Sequence, residues 1–455
     1  MKILLIKPTQ LDDDKKPLKY KKSLYPPLSL AIIDRLTPAR HEVRVADDVV
    51  ENINYSRDYD LVGISVMTSQ AERAYQIADQ FRSMGVKVIL GGIHPSALPE
   101  EAKNHADSVA IGEVEGIWKQ ILEDFEKNKP QEFYRDAVPP DLKTPVIPKW
   151  DNINLKIYVK QIGHKYPRMP IFITRGCTFD CTFCCVSKFF GRSYRTKPIT
   201  NVLREIDAME GKDFFFVDDN ILCDFDYSRE LFNALIPKKI AWFSQMSTMV
   251  LKSPELIDLA ARSGCDSMQV GIESLNKASL KSINKCFNRP EAYEELFARM
   301  KKARIIACPT VIFGFDEDTE EQFELTIEFL RKVKAEAPFF VMLTPFPATT
   351  LYEDLKKAGR IIDTNWSHYD EAHMVYQPKN FTVEEYSELF WKHYREHYSY
   401  GNIAKRLAYI TAIAANPARN FSESLIYNLY NRVKVYAYKY PISDGIFSIR
   451  KKYNE

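Results

Sequence analysis

Short apolar runs and amphipathic stretches alternate along the first part of the chain. KILLIK reads as a strand and LSLAIIDRL as the helix behind it. HEVRVAD, LVGISVMT, KVILGG and SVAIGE read as further strands, with helical patterns at about 69–84, 98–104 and 114–127 between them. Strands separated by helices predict a parallel sheet covered on both faces, hence an α/β, doubly wound (Rossmann-like) domain over residues 1–130. Ligands of such sheets sit at the carboxyl ends of the strands. Those ends read KPTQ, VMTSQ, GGIHPS and IGEVEG, rich in small and polar residues.

The composition then shifts to Pro, Lys and Asp in KNKPQEFYRDAVPPDLKTPVIPKWD, which predicts a semi-rigid linker over residues 131–165. A second β/α series starts at MPIFIT and continues through DFFFVD, IAWFSQMS, SMQVGI, IIACPTVIFGF and FFVMLT. Six units within residues 166–350 are too few for a closed eight-stranded barrel and predict a partial (β/α)6 barrel. Residues 351–455 are mixed at first, then strongly helical and aromatic from Thr382.

Composition narrows the class. A chain of 455 residues suits two or three domains, at about 150 residues each. Apolar content of 45% and charged content of 27% are ordinary for a globular protein. A formal net charge of +2 without a Lys/Arg-rich run gives nucleic acid no footing. No apolar run is long enough to span a membrane, and MKILLIKPTQ is too short in its apolar part for a signal peptide. A cytoplasmic location is expected. The eight cysteines agree: they are too few and too clustered for a disulfide framework, and a reducing compartment keeps thiolates free for metal.

Four of those cysteines fall in RGCTFDCTFCC, just after the first barrel strand. Cys177, Cys181 and Cys184 have C-x3-C-x2-C spacing and can converge on one inorganic centre. Zinc draws four ligands, and no partner C-x2-C pair or nearby His completes such a set. A conventional iron–sulfur carrier also takes four cysteines. Cys185 cannot easily be the fourth, because adjacent side chains diverge. Three thiolates on a four-iron cube leave one iron open for chemistry. Cys185, Cys223, Cys265, Cys286 and Cys308 read as isolated, buried or partly buried thiols.

This spacing, with Phe183 before the last cysteine, resembles the radical S-adenosylmethionine (SAM) superfamily. The resemblance implies a [4Fe-4S] cluster on Cys177, Cys181 and Cys184 whose open iron chelates SAM. One electron from a low-potential donor such as a flavodoxin or ferredoxin then yields a 5′-deoxyadenosyl radical. Later strand ends fall where SAM-binding elements should fall: Asp218, Asp219 and Asn220 in FFFVDDN, Ser247 in SQMST, Glu273 in VGIES and Phe313 in FGFDEDT. Arg192 and Arg195 in FFGRSYRTKP are expected to reach the SAM carboxylate or to sit in a solvated loop.

The first domain narrows the resemblance. SLYPPLSLAII, VGISVMTSQ, LGGIHPSALPEEA and AIGEVEG are similar to the cobalamin-binding-domain subclass, and the similarity runs on through LTPFPATTLY and RIIDTNWSHYD. It covers most of residues 1–390 and resembles the hopanoid methylase and oxidative cyclase branches. It implies cobalamin lined by Thr68, Ser69 and Gln70 after the third strand, Gly91, Gly92 and His94 after the fourth, and Gly112 and Glu113 after the fifth. His94 is expected at a loop end rather than on cobalt. The chain departs from the pattern in having no D-x-H-x-x-G after the first strand and in Ala348, where the family usually has glycine. The absence of G-x-G-x-x-G argues against a dinucleotide.

The implied activity is methylation of an unactivated carbon, with one SAM methylating cobalamin and a second supplying the radical. Two alternatives stand beside it: radical ring closure or carbon–carbon coupling, and a non-catalytic iron–sulfur or cobalamin sensor. The family's branches point to a large apolar substrate, lipid or tetrapyrrole. Residues 394–440 hold nine tyrosines, seven Lys/Arg and two acids. YGNIAKRLAYITAIAA there is expected to pack on the barrel's open side or to lie on a membrane surface.

Overall fold

The computed structural model of the chain describes residues 1–413, 417–437 and 445–448. Strands β1 (Lys2–Lys7), β2 (Glu42–Asp47), β3 (Leu61–Ser65), β4 (Lys87–Gly91), β5 (Ser108–Ile111) and β6 (Phe133–Arg135) form one parallel sheet in the order β2-β1-β3-β4-β5-β6. Ile3, Leu4, Leu5 and Ile6 of β1 are all buried, so both faces of the sheet are covered. The covering helices include α1 (Leu28–Leu36), α2 (Ala71–Ser83) and α3 (Trp118–Glu126). The order reverses between β1 and β3, which opens a crevice at their carboxyl ends. Strand β6 lies inside the segment expected to be linker. Three residues, FYR, are too short for periodicity to show, yet buried Tyr134 fixes them by donating to Asp124 Oδ2 at 3.1 Å.

The second sheet runs in strict chain order: β7 (Met169–Ile171), β8 (Asp213–Phe216), β9 (Ala241–Ser247), β10 (Cys265–Glu273), β11 (Ile306–Phe313) and β12 (Phe339–Met342). All neighbours are parallel, and β7 does not pair with β12. This is the open partial barrel expected. Its outer layer is aromatic, with Trp242 stacked between Phe216 at 5.0 Å and Phe232 at 5.2 Å. The short helix α4 (Val186–Phe189) follows the cysteine loop, and α5 (Glu320–Lys332) covers β11. Thr319 caps α5 by accepting from the Gln322 amide.

Helix α6 (Val383–His397) starts with a capping box: Thr382 Oγ1 accepts from the Glu385 amide, and Glu385 Oε2 from the Thr382 amide. It lays Phe390 and Tyr394 against Phe313 and Phe340. Helix α7 (Tyr400–Ile413) buries Ile403, Arg406, Leu407 and Ile410, so the amphipathic stretch packs inward. Arg406 reaches Asn428 of α8 (Pro417–Tyr436) from Nη2 at 2.5 Å. Ala414 and Ala415 of that stretch, with Tyr438 and Tyr440 of the tyrosine-rich tail, lie outside the described residues. Among the described residues no helix is long and apolar enough to cross a membrane. Ala348 has φ +62°, the left-handed region that suits the glycine usual there.

At the amino-terminal end of the barrel, Arg168 ties three strands together. It donates from Nε to Asp213 at 2.6 Å and from Nη2 to Asp266 at 2.5 Å. Asp213 is almost wholly buried, so removing the arginine strands a carboxylate. Arg168→Ala is expected to lower unfolding free energy by about 3–5 kcal/mol. Urea denaturation against the parent protein measures it.

Candidate functional site

The loop that carries the three cysteines is held from several sides before any ligand enters. Gly176 precedes it with φ +85°, and a Cβ there would meet the Ser193 carbonyl oxygen at 2.3 Å, so only glycine fits. The Gly176 amide donates to Asp219 Oδ2 at 3.2 Å. Farther on, the Thr182 amide donates to the Ile283 carbonyl at 3.2 Å, Asn284 Nδ2 to the Asp180 carbonyl at 3.0 Å, and the Leu351 amide to the Thr182 carbonyl at 2.9 Å. Phe179 stacks on Phe287 with ring centres 4.1 Å apart.

Cys177, Cys181 and Cys184 line a pocket of about 450 Å³ at the carboxyl ends of the barrel strands. Their sulfurs do not gather within 4.8 Å as a set, among the described residues. A single tetrahedral zinc, with bonds of about 2.3 Å, would need a tighter cluster. The wider set suits a polynuclear cluster, and the wall has no fourth cysteine. Burial pushes the Cys181 thiol up to about 11 and the Cys184 thiol well above its usual value, so metal binding must displace their protons. Cys223, expected as an isolated thiol, instead lies 3.8 Å from Cys177. A hydrogen bond from it brings Cys177 down to about 7.

Five of the expected SAM residues share this pocket: Phe183, Asp219, Asn220, Ser247 and Glu273. Burial raises the Asp219 carboxyl to about 6. Asn220 holds Ser247 by donating to its hydroxyl at 3.3 Å. Glu273 sits at φ +59° with one oxygen on Lys285 Nζ and the other, Oε2, buried without a partner. A buried unpaired carboxylate oxygen costs about 1–3 kcal/mol, which a ligand ammonium offsets. A Cβ on Gly271 would meet Glu273 Oε1 at 2.5 Å and Lys285 Nζ at 2.8 Å, so the glycine admits the pair.

Four other expected residues, Asp218, Phe313, Arg192 and Arg195, lie outside the wall. Asp218 is fully buried and accepts from the Thr174 hydroxyl at 2.6 Å, and burial raises it to about 7. It supports the strand before the cysteines. Phe313 turns to the barrel's outer layer and stacks on Phe323 at 4.5 Å, leaving Ile312 to face the pocket. Arg192 is exposed and pairs with Asp180, the solvated-loop alternative. Two wall residues had no sequence signal: Lys285, one lysine among several in KSINKCFNR, and Glu371. Burial against Lys285's charge is outweighed by Glu273, and its pKa ends above the usual lysine value. Burial pushes Glu371 up to about 7.

A second cavity, of about 170 Å³, opens between the two domains. Gly91, Gly92, Gly112 and Glu113 line it, as expected of the cobalamin set. Gly63 of β3 and Ala110 of β5 also leave room on the sheet face, and Leu30, Ile33 and Trp118 make it apolar. Gly92 has φ +102°, and a Cβ there would press on Val66 backbone at 2.7 Å. Glu113 carries an added load: its two oxygens pair with Arg175 and Arg195 of the barrel. So Arg195 meets Glu113, not the cysteine pocket. Thr68, Ser69 and Gln70 form a turn outside the cleft wall, where the Gln70 side chain accepts from the Met67 amide at 3.2 Å. His94 is also outside the wall, its Nε2 3.1 Å from the Tyr75 hydroxyl and 3.3 Å from Glu101.

The two cavities share α4. Val186 and Ser187 face the cysteine pocket, while Phe189 and Phe190 face the interdomain cleft. The cleft therefore borders the cysteine pocket through one turn of helix.

The chain matches the radical SAM superfamily over residues 171–330 and the B12 binding domain over residues 22–122. It is 34% identical over 393 residues to bacteriochlorophyllide d C-12(1)-methyltransferase of Chlorobaculum tepidum, covering 84% of each chain. It is 30% identical over 421 residues to the C-8(2)-methyltransferase of the same organism, covering 88% of this chain and 90% of that one. The fold is shared with the cobalamin-dependent SAM radical enzyme OxsB, solved with aqua-cobalamin and SAM bound, at TM-score 0.66 and 14% identity over 96% of this chain and 72% of that one. A cysteine pocket at the barrel mouth, an apolar cleft beside it and relatives matched along most of their length place this chain in the radical SAM superfamily, within its cobalamin-binding-domain branch.

Proposed function

We propose that this protein methylates an unactivated carbon of a large, mainly apolar substrate of tetrapyrrole type. The observation that carries the reading is α4 as a common wall between cysteine pocket and cleft. The two curated relatives, named as bacteriochlorophyllide methyltransferases, support the substrate class. When bound, the cluster supplies the electron that cleaves SAM, and cobalamin carries the methyl group.

The chain's own residues set the geometry. Cys177, Cys181 and Cys184 would hold the cluster at the mouth of the barrel. Glu273 Oε2 and Asp219 would accept from the SAM ammonium, Lys285 would meet its carboxylate, and Ser247 would hold the ribose. Phe183 screens the pocket from water. Gly91, Gly92 and Gly112 let the corrin approach backbone, and Glu113 seals the cleft through its two arginines. A flavodoxin or ferredoxin delivers the electron. On α8, Ile426, Leu429, Val433 and Tyr436 recur at helical spacing and are exposed, which supports peripheral contact with the inner face of a membrane.

Anaerobic protein with reconstituted cluster and cobalamin, given reductant, methyl-deuterated SAM and a chlorophyllide acceptor, is expected to form S-adenosylhomocysteine and 5′-deoxyadenosine together, with label in the acceptor. 5′-Deoxyadenosine alone would favour radical ring closure, and neither product with an intact cluster would sink the enzyme reading. Cys181→Ala is expected to abolish the cluster absorbance and both products.

Gly91 has no Cβ strain of its own, and a side chain there would enter the cleft beside Ala110 at 3.4 Å. Gly91→Leu is expected to cut cobalamin binding at least about tenfold, since an overfilled site excludes its ligand, while iron content and melting temperature hold. Equal cobalamin content in parent and variant would count against the cleft.

A further inference from the structure

Asp13, His368 and His373 come together away from the cysteine pocket. Each offers a ligand atom within 4.8 Å of the other two, and no other such group of His, Cys, Asp or Glu occurs among the described residues. They come from separate turns. Asp13 stands at the tip of a tight hairpin after β1, closed by the Asp12 amide on the Lys16 carbonyl at 2.9 Å and the Lys15 amide on the Asp12 carbonyl at 2.8 Å. His368 ends a helical turn, Trp366–His368, capped by Asn365. His373 follows one loop later, and its ring stacks on His368 with centres 4.7 Å apart and planes 22° from parallel.

The two rings are oriented alike. Nδ1 of His368 meets Asp363 Oδ2 at 2.5 Å, and Nδ1 of His373 meets Asp370 Oδ1 at 2.9 Å. A neutral imidazole that donates from Nδ1 to a carboxylate keeps its lone pair on Nε2. Metal-ligating histidines are held in this way, the carboxylate fixing the tautomer and raising ring basicity. His368 Nε2 in turn faces Asp13 Oδ1 at 3.5 Å and Asn365 Nδ2 at 3.2 Å. As plain ion pairs these contacts are weak: the Asp13 side chain is 87% exposed, and an exposed pair contributes about 0–1 kcal/mol. Two imidazoles of like orientation, each backed by its own carboxylate and each with a ligand atom within 4.8 Å of Asp13, are better matched to a cation held at their common edge.

We propose that Asp13, His368 and His373 bind one divalent first-row cation of the Zn2+ or Fe2+ class. Two imidazole nitrogens and one carboxylate suit either ion and leave coordination positions for water or a further ligand. The cation fastens the hairpin after β1 to the segment that carries Glu371, a wall residue of the cysteine pocket. The same segment already grips the first domain through Trp366 Nε1, which donates to Glu101 at 2.9 Å. The site is thus a clasp between the domains. It stands on its own side chains and not on the methyl-transfer reading.

Zn2+ is the probe. Tag-free, full-length protein with its cluster reconstituted is dialysed against Zn2+, desalted and assayed for metal. The parent is expected to keep one zinc per chain more than His368→Ala/His373→Ala, and His373→Ala alone, at a half-exposed position, is expected to lose it without loss of fold. Cys181→Ala is expected to retain that zinc. Equal zinc in the parent and the double variant overturns the proposal, as does its loss in Cys181→Ala. Asp363→Asn and Asp370→Asn leave all three ligands in place and are expected to weaken Zn2+ affinity about 10–100-fold. Unchanged affinity in both would refute the oriented pair.

Discussion

The arrangement depends on the ion pairs that Arg175 makes across the domain boundary. Arg175 lies two residues before Cys177, yet its guanidinium reaches out of the barrel to Glu113 and Glu115 on the loop after β5. Arg175 and Glu113 are both nearly buried. Burying charges is costly, and a buried pair contributes more to fixing one arrangement than to overall stability. Here the fixed arrangement is the spacing between the cysteine pocket and the interdomain cleft. The strand that delivers the first cysteine also carries the residue that docks the cleft, so neither site can shift alone. Arg195, on the short strand antiparallel to Arg175, takes the other Glu113 oxygen and doubles the constraint.

From that joint the rest follows by packing. With the cleft held against the cysteine loop, α4 is left as a thin partition with two small or aliphatic residues on one side and two phenylalanines on the other. A methyl carrier and a radical source must serve one substrate without reacting with each other in water, and a shared apolar wall meets both needs. Glu371 and Lys285 complete the pocket from segments outside the strand ends. Both charges depend on their surroundings: Glu273 holds Lys285, while Glu371 is raised towards neutrality by burial and by the acids near it.

The parallel, doubly covered sheet, the six-unit barrel and the three-cysteine spacing were legible in the sequence because each has a period or a spacing. Parallel strands buried on both faces read as continuous apolar runs, and C-x3-C-x2-C has few structural uses. Glu273 was legible through VGIES, and the structure adds why its glycine is needed: any Cβ on Gly271 would collide with the Glu273–Lys285 pair. Lys285 was not legible, since nothing local separates a buried lysine from the solvated ones beside it. Phe313 and Asp218 were placed one residue off in facing, because alternation along a strand end is lost where the chain turns away. Thr68, Ser69, Gln70 and His94 sit at strand ends, as read, but are not part of the cleft wall. His94 instead joins Tyr75, Glu101 and Trp366 in a polar seam between the first domain and the segment after the barrel.

The central claim is that the two cofactor sites lie on either side of one helical turn. Electron paramagnetic resonance of the cobalamin cobalt(II) signal, recorded with the cluster oxidised and then reduced, tests it directly. Spins this close couple through space, so the cobalt signal should broaden and relax faster once the cluster is reduced, and should not do so in Cys181→Ala. A cobalt signal indifferent to the cluster's oxidation state, with both cofactors present, would contradict the shared wall.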